Sequence, residues 1–248
     1  MRQYGLIGLK LGHSFSANYF ADKFLREGLS EECSYRLFEL PAIECVEEFM
    51  QTTPNLVGFN VTIPYKQQII PYLDSLSREA EDIGAVNCVK ITPDGRKVGY
   101  NTDIDGIRVS LDKLLGDKVI DSALILGTGG ASLAVGYVLS ERGIPYSLVS
   151  RDKSKGDLLY SELDETVINS NHLIINASPV GMYPKVDVAP DIPYHLLSAD
   201  HYLFDLVYNP TTTRFMTLGA EYGAHALSGL DMLYAQAESA WSIWNREE

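Results

Sequence analysis

Ala123-Leu124-Ile125-Leu126-Gly127-Thr128-Gly129-Gly130-Ala131-Ser132 reads as a wholly apolar strand running into a glycine-rich turn. Helical periodicity follows through Leu133, Val138 and Leu139 and stops at Gly143. A turn of this kind lets backbone amides approach a pyrophosphate, whose negative charge the helix N-terminus favours. Gly127 and Gly129 fit the first two glycines of the dinucleotide fingerprint. Ser132 takes the third position, where a small side chain serves helix–strand packing. Alone, the run also suits a tight structural turn, a phosphate site or a methyl-donor site. The strand before it and the helix after it favour a dinucleotide.

The strand that follows, Tyr146 to Val149, bears on which dinucleotide. An NAD site usually carries an acid roughly 20 residues past the glycines, to hold the ribose hydroxyls. Here that place is Ser150, followed by Arg151-Asp152-Lys153-Ser154-Lys155. A neutral residue followed by cations suits the additional phosphate of NADP. The other reading is a solvated loop, and Asp152 would repel that phosphate. Further strands fit Leu173 to Asn176 and Leu203 to Leu206, which completes an α/β unit beginning near residue 103.

Upstream lies a second alternation of strand and helix: Tyr4 to Leu9, Ala17 to Arg26, Tyr35 to Phe38, a helix opened by Pro41 and running to about Met50, then Leu56 to Phe59. Val86 to Ile91 and Lys97 to Gly99, parted by Pro93-Asp94-Gly95, read as a hairpin. Asp103 to Leu115 reads as a helix, and so does Leu230 to Trp244, which could pack on either unit. The fold class is therefore α/β in two domains, a mainly parallel sheet followed by a Rossmann-type unit. In the first unit, Gly58-Phe59-Asn60-Val61-Thr62-Ile63-Pro64-Tyr65-Lys66 ends a strand at a proline that cannot continue a ladder. It suits a loop aiming Asn60, Thr62 and Lys66 into a cleft, although a lone lysine is more often simply solvated.

At 248 residues, with 46% hydrophobic and 21% charged residues, the chain is ordinary globular material with room for two modest cores. A formal charge of −13 argues against nucleic acid, and no basic run suggests an anionic membrane surface. An anionic ligand must then be held by a few local donors. Cys33, Cys45 and Cys88 are odd in number and lack metal-ligand spacing, so no metal is expected and reduced thiols in a cytoplasm are. No leader peptide and no membrane-spanning run is read.

Eight separated stretches agree with one family. They are His13 to Ser16, Gly58 to Lys66, Gly84 to Asn87, Gly99 to Asp103, Gly127 to Ser132, Asn176 to Met182, Asp205 to Pro210 and Gly229 to Gln236. On these the chain resembles the shikimate dehydrogenases over nearly its whole length. The resemblance implies NADP-linked interconversion of 3-dehydroshikimate and shikimate, with NAD as the alternative cofactor. It implies a substrate domain over 1–103 completed by a C-terminal helix over 229–248, and an NADP-binding domain over 104–228. By the family's motifs, Ser14 and Ser16 would hold the substrate carboxylate. Thr62, Lys66, Asn87, Asp103 and Gln236 would meet the ring hydroxyls, with Tyr208 beside them. Gly127, Gly129, Gly130 and Ala131 would line the pyrophosphate turn. Ser150, Arg151 and Lys155 would meet the adenosine phosphate, and Gly229 would sit near the nicotinamide. The small-molecule substrate is the partner implied, on a monomer or homodimer. Four positions depart from the family's usual residues: Ala17 for proline, Cys88 for threonine, and Ser150 and Asp152 for asparagine and threonine. The stretch between Arg151 and His172 is also short for the family.

Reducing a ketone by hydride needs a proton for the growing alkoxide, which the Lys66 ammonium could give and its amine could take back. Asp103 would chiefly orient Lys66 and the reacting hydroxyl, making these two the catalytic pair. Plainer roles exist for every candidate. Asp103 could complement a helix N-terminus, Ser14 and Ser16 could be loop and cap residues, and Gln236 and Tyr208 could be packing with polar tips. His13 reads as structural. The rivals are an NAD-linked quinate or dual quinate/shikimate dehydrogenase, a nucleotide-sensing protein without turnover, and a methyl-donor transferase.

Overall fold

The computed structural model describes residues 1–12 and 14–246, so the expectation placed on His13 lies outside the described residues. The chain divides into two compact units, one of Met1–Thr102 with the chain from Ala237 onward, the other Asp103–Gln236.

The first unit runs β1 (Arg2–Gly8), α1 (Phe15–Arg26), β2 (Cys33–Glu39), α2 (Val46–Thr52), β3 (Leu56–Val61), β4 (Ser75–Leu76), α3 (Arg78–Ile83), β5 (Cys88–Ile91) and β6 (Lys97–Tyr100). Its sheet has the order β2-β1-β3-β5-β6-β4. β1 pairs parallel with both β2 and β3, while β5 and β6 form the antiparallel hairpin. Short apolar strands joined by helical crossovers bury both faces of the parallel part. One face holds Ile7, Val46, Phe49, Phe59, Val61 and Ile69, and the other an aromatic cluster of Tyr4, Phe20, Phe24 and Trp244.

Two expectations are corrected here. Pro41 does not begin a helix; a 3-10 turn at Ile43–Cys45 comes first and α2 starts only at Val46. Ala42 before that turn is extended and supplies no side-chain cap. The strand expected to stop at Phe59 continues to Val61, because β1 and β5 pair with it through Asn60 and β1 also pairs with Val61.

The second unit contains α4 (Asp103–Leu115), β7 (Ala123–Leu126), α5 (Gly130–Glu141), β8 (Tyr146–Ser150), β9 (Leu158–Leu159), α6 (Glu165–Ser170), β10 (Leu173–Asn176), β11 (Tyr202–Asp205), α7 (Arg214–Glu221) and β12 (His225–Ser228). α8 (Leu230–Asn245) begins in this unit and passes into the first at Ala237. The sheet order is β12-β11-β10-β7-β8-β9, and all of its pairings are parallel. β7 and β10 are buried at every position, as strands covered on both faces require. Between β8 and β10 the short stretch still forms β9 and α6. Among the described residues no helix is long and apolar enough to cross a membrane.

From Ala237 onward α8 is bound into the first unit by charge as well as by rings. Lys23 of α1, 5% exposed, reaches Glu238 Oε2 at 2.8 Å and Glu27 Oε1 at 2.7 Å. The Tyr19 hydroxyl donates to the same Glu238 carboxylate. Because Glu238 is half exposed and Glu27 remains, Glu238→Ala should destabilise the first unit by about 1 kcal/mol, read as a lowered midpoint in urea.

Candidate active site

In the first unit the predicted substrate residues gather at one end of the sheet. Ser14 is the N-cap of α1, its Oγ accepting from the Ser16 amide at 3.3 Å, so the capping role is real. The loop before it is pinned where Leu11 N donates to Glu39 Oε1 at 2.7 Å and Ser14 N donates to Leu11 O at 2.9 Å. Thr62 follows β3, its amide donating to Ile7 O at 3.0 Å. Lys66 rises from the turn beyond Pro64. Its neighbours Tyr65 and Ile69 are buried, and the Tyr65 hydroxyl is tied to Leu40 O at 2.7 Å. The Lys66 carbonyl accepts from Val86 N at 2.7 Å, which sets the turn beside Asn87.

Asn87 is 3% exposed and fixed at both ends. Its carbonyl accepts from Val61 N at 2.9 Å, and its side-chain oxygen accepts from the Thr102 amide at 2.7 Å and the Thr102 hydroxyl at 3.1 Å. Asn60 corrects the expectation that it faces a cleft from a loop. It lies within β3, 6% exposed, and its side chain bonds Tyr35 and the Asn87 carbonyl. A groove of about 660 Å³, lined by Arg36, Phe38, Glu39, Pro41, Cys45 and Glu48 among others, lies elsewhere in this unit and contains none of the predicted site residues.

In the second unit Asp103 is the first residue of α4 and 4% exposed, where a carboxylate also complements the helix N-terminus. Gly127 sits at φ +117°, a region closed to ordinary side chains, and its amide donates to Val149 O at 2.9 Å. Gly129 caps α5, and a Cβ there would meet nothing within 4 Å; Gly130 and Ala131, half-buried, follow it at the start of the helix. Ser132, 2% exposed, donates its hydroxyl to Gly129 O at 2.6 Å, which braces the turn from beneath.

The loop after β8 is ordered by its own side chains. Ser150 Oγ accepts from Asp152 N at 3.1 Å, and Asp152 Oδ1 accepts from the Ser154 amide and hydroxyl at 3.0 and 2.8 Å. The Ser154 donors hold the Asp152 carboxyl below the usual range, and Lys155 lies 3.9 Å away. Arg151, Lys155 and an ionised Asp152 therefore share one exposed loop. Gly229 is packed against backbone, since a Cβ there would stand 2.3 Å from Leu206 O. The Gln236 side chain donates back to Leu233 O at 3.1 Å. Tyr208 is half-buried, three residues past Asp205.

A buried network in this unit received no site role from the sequence, although Asn176 and Asp205 begin two of the eight matching stretches. Asn176 and Asp205 end adjacent strands in register, and Asn176 Nδ2 donates to Asp205 Oδ1 at 2.9 Å. Asp205 also accepts from Val207 N at 3.0 Å and the Thr213 hydroxyl at 2.6 Å. Two polar residues at the C-terminal ends of apolar neighbouring strands are the signal that could have found it. Burial pushes the Asp205 carboxyl up to about 6 despite these donors. Raised above its unfolded value, it contributes stability below about pH 4 that is lost as pH rises through about 6. Relative to wild type, Asp205→Asn should therefore gain on the order of 3 kcal/mol between about pH 4 and pH 6.5, measured by urea unfolding at both.

Residues 6–89 match the family model of the shikimate dehydrogenase substrate binding domain. The NADP(+) shikimate dehydrogenase of Methanococcus maripaludis is 36% identical, with 97% of this chain and 90% of that protein covered. The shikimate 5-dehydrogenase of Thermus thermophilus, solved with NADP(H) and shikimate, superposes with a TM-score of 0.85 at 30% identity, covering 99% of this chain and 94% of that one. The quinate dehydrogenase of Corynebacterium glutamicum, solved with NAD, superposes with a TM-score of 0.87 at 26% identity, covering 98% and 93%. The fold is thus shared across substrates and cofactors, while identity over the full length is higher with the shikimate enzymes. With the glycine turn, the Lys66 turn and Asn87 all in place, the chain belongs to the shikimate dehydrogenase family.

Proposed function

We propose that this chain catalyses the reversible NADP-linked reduction of 3-dehydroshikimate to shikimate, a step toward aromatic amino acids. The observation that carries the reading is the setting of Lys66. Its turn is anchored by two buried neighbours, and its carbonyl is bonded to the residue preceding Asn87. An amine that can exchange a proton and an amide that can bind a hydroxyl therefore start from adjacent backbone. Lys66 gives the proton to the reduced oxygen and takes it back in the reverse direction. Asn87 and Thr62 hold ring hydroxyls, Ser14 and Ser16 hold the carboxylate, and Asp103, Tyr208 and Gln236 complete the hold on the substrate. The turn from Gly127 to Ala131 fits NADP because Gly129 leaves room where a pyrophosphate would lie. NADP, when bound, supplies the nicotinamide ring that carries the hydride. Ser150, Arg151 and Lys155 face its additional phosphate, and Gly229, packed against the Leu206 backbone, lies near the nicotinamide. Quinate as the physiological substrate is not favoured.

The test is the absorbance of reduced nicotinamide with shikimate or quinate, each with NADP and NAD. Shikimate with NADP should give the highest kcat/KM, and no oxidation of shikimate with either cofactor would end this reading. Asp152→Asn keeps the acceptor for Ser154 while removing the charge beside the adenosine phosphate. It should lower KM for NADP about fivefold and leave KM for NAD unchanged, as initial rates with each cofactor will show.

A further inference from the structure

The Tyr35 phenol takes no part in the reaction as set out above, yet from its place opposite Tyr4 in the sheet its hydroxyl reaches Asn60. Its ring stacks on Phe20, with centroids 4.4 Å apart and planes 14° apart. Its hydroxyl donates to Asn60 Oδ1 at 2.8 Å, and Asn60 Nδ2 donates to the Asn87 carbonyl at 3.1 Å. The direction of every bond in this chain is determined. A carbonyl can only accept, so the Asn60 amide must turn its nitrogen toward Asn87 and its oxygen toward Tyr35. Tyr35 must then be the donor, and its own oxygen is left to accept. Beyond Asn87 the chain continues to Thr102, which donates twice to Asn87 Oδ1. With its oxygen held there, the Asn87 amide nitrogen is turned the other way, as a donor.

We propose that Tyr35 is a positioning residue for the substrate site: acting through Asn60, it holds Asn87 in the orientation that receives a ring hydroxyl. The proposal rests on the shikimate reading. Tyr35 serving only as a stacking partner for Phe20 is the competing account, and the two differ in what the hydroxyl does. Tyr35→Phe keeps the ring and its stack while leaving the Asn60 oxygen, in a side chain 6% exposed, without its donor.

The experiment is steady-state kinetics of shikimate oxidation for Tyr35→Phe, Asn60→Ala, Asn87→Ala and the double variant Tyr35→Phe/Asn87→Ala, with melting temperatures alongside. Tyr35→Phe should raise KM for shikimate about tenfold, with kcat within about twofold and KM for NADP unchanged. Asn60→Ala should raise the same KM, which keeps the test open if Tyr35→Phe folds poorly. In the Asn87→Ala background the Tyr35→Phe change should have no further effect on kcat/KM. A lowered melting temperature with wild-type KM for shikimate in both Tyr35→Phe and Asn60→Ala would overturn the proposal. Effects of Tyr35→Phe and Asn87→Ala that simply multiply would overturn it as well. Absence of shikimate oxidation by the wild type would instead remove the functional reading, and this proposal with it.

Discussion

Lys66→Met is expected to lower kcat for shikimate oxidation by roughly 10³-fold, the scale of losing a positioned proton-transfer group. KM for shikimate should move far less, because the carboxylate and ring-hydroxyl contacts assigned to other residues remain. The fold should survive. What holds the turn is the burial of Tyr65 and Ile69, the Tyr65–Leu40 bond and the bond from Val86 N to the Lys66 carbonyl. None of these uses the lysine side chain, and methionine matches its length without its charge. The measurement is a progress curve at saturating substrate, paired with a melting curve that should overlay that of the wild type. Wild-type turnover in a folded Lys66→Met protein would remove Lys66 from the chemistry altogether.

The largest structural effect should come from the far end of the chain. Trp244 is 3% exposed, and its indole nitrogen donates to Val89 O at 3.0 Å. Its ring lies 5.0 Å from Tyr4, 5.6 Å from Phe20 and 6.3 Å from Tyr35. The sheet is shaped to receive it, since a Cβ on Gly58 would stand 2.3 Å from the indole. Trp244→Ala removes a large ring from a packed cluster and takes the indole donor away from the Val89 carbonyl. It should cost about 4 kcal/mol, which for a chain of this size lowers the melting temperature by roughly 10 °C. Trp244→Phe keeps much of the volume and should cost about half as much. A melting temperature unchanged in Trp244→Ala would show that the end of α8 does not support the first unit.

Much of the architecture is legible before any coordinates. The strands at Ala123–Leu126 and Leu173–Asn176 and the helix at Asp103–Leu115 occupy the residues that periodicity and end signals mark out. Short apolar runs between turn residues and helices with a repeating apolar face are local properties, readable from neighbours along the chain. The glycine-rich turn is legible for the same reason, because its geometry depends on side chains that are absent. The misreadings are equally local in origin. Pro41 has the composition of a first-turn residue, but Ala42 after it is extended and the α-helix waits until Val46. The strands at Ser75–Leu76 and Leu158–Leu159 escape a reading by pattern altogether, because two residues are too few to show a period.

What the sequence determined by itself is the succession of elements, the glycine turn and the candidate residues, because these follow from side-chain size, backbone freedom and short-range periodicity. Tertiary structure alone decided what each polar side chain meets. Asn60 belongs to a strand because partners from β1 and β5 complete its ladder, and Tyr35 reaches it from β2. Asn176, Asp205 and Thr213 form one network although they are far apart in the chain. The last helix shows the difference most plainly. Its apolar spacing announces a buried face, yet only the fold assigns Ala237, Ala240 and Trp244 to the aromatic cluster of the first unit. An amphipathic pattern states that a face must leave water; which surface covers it depends on residues more than a hundred positions away.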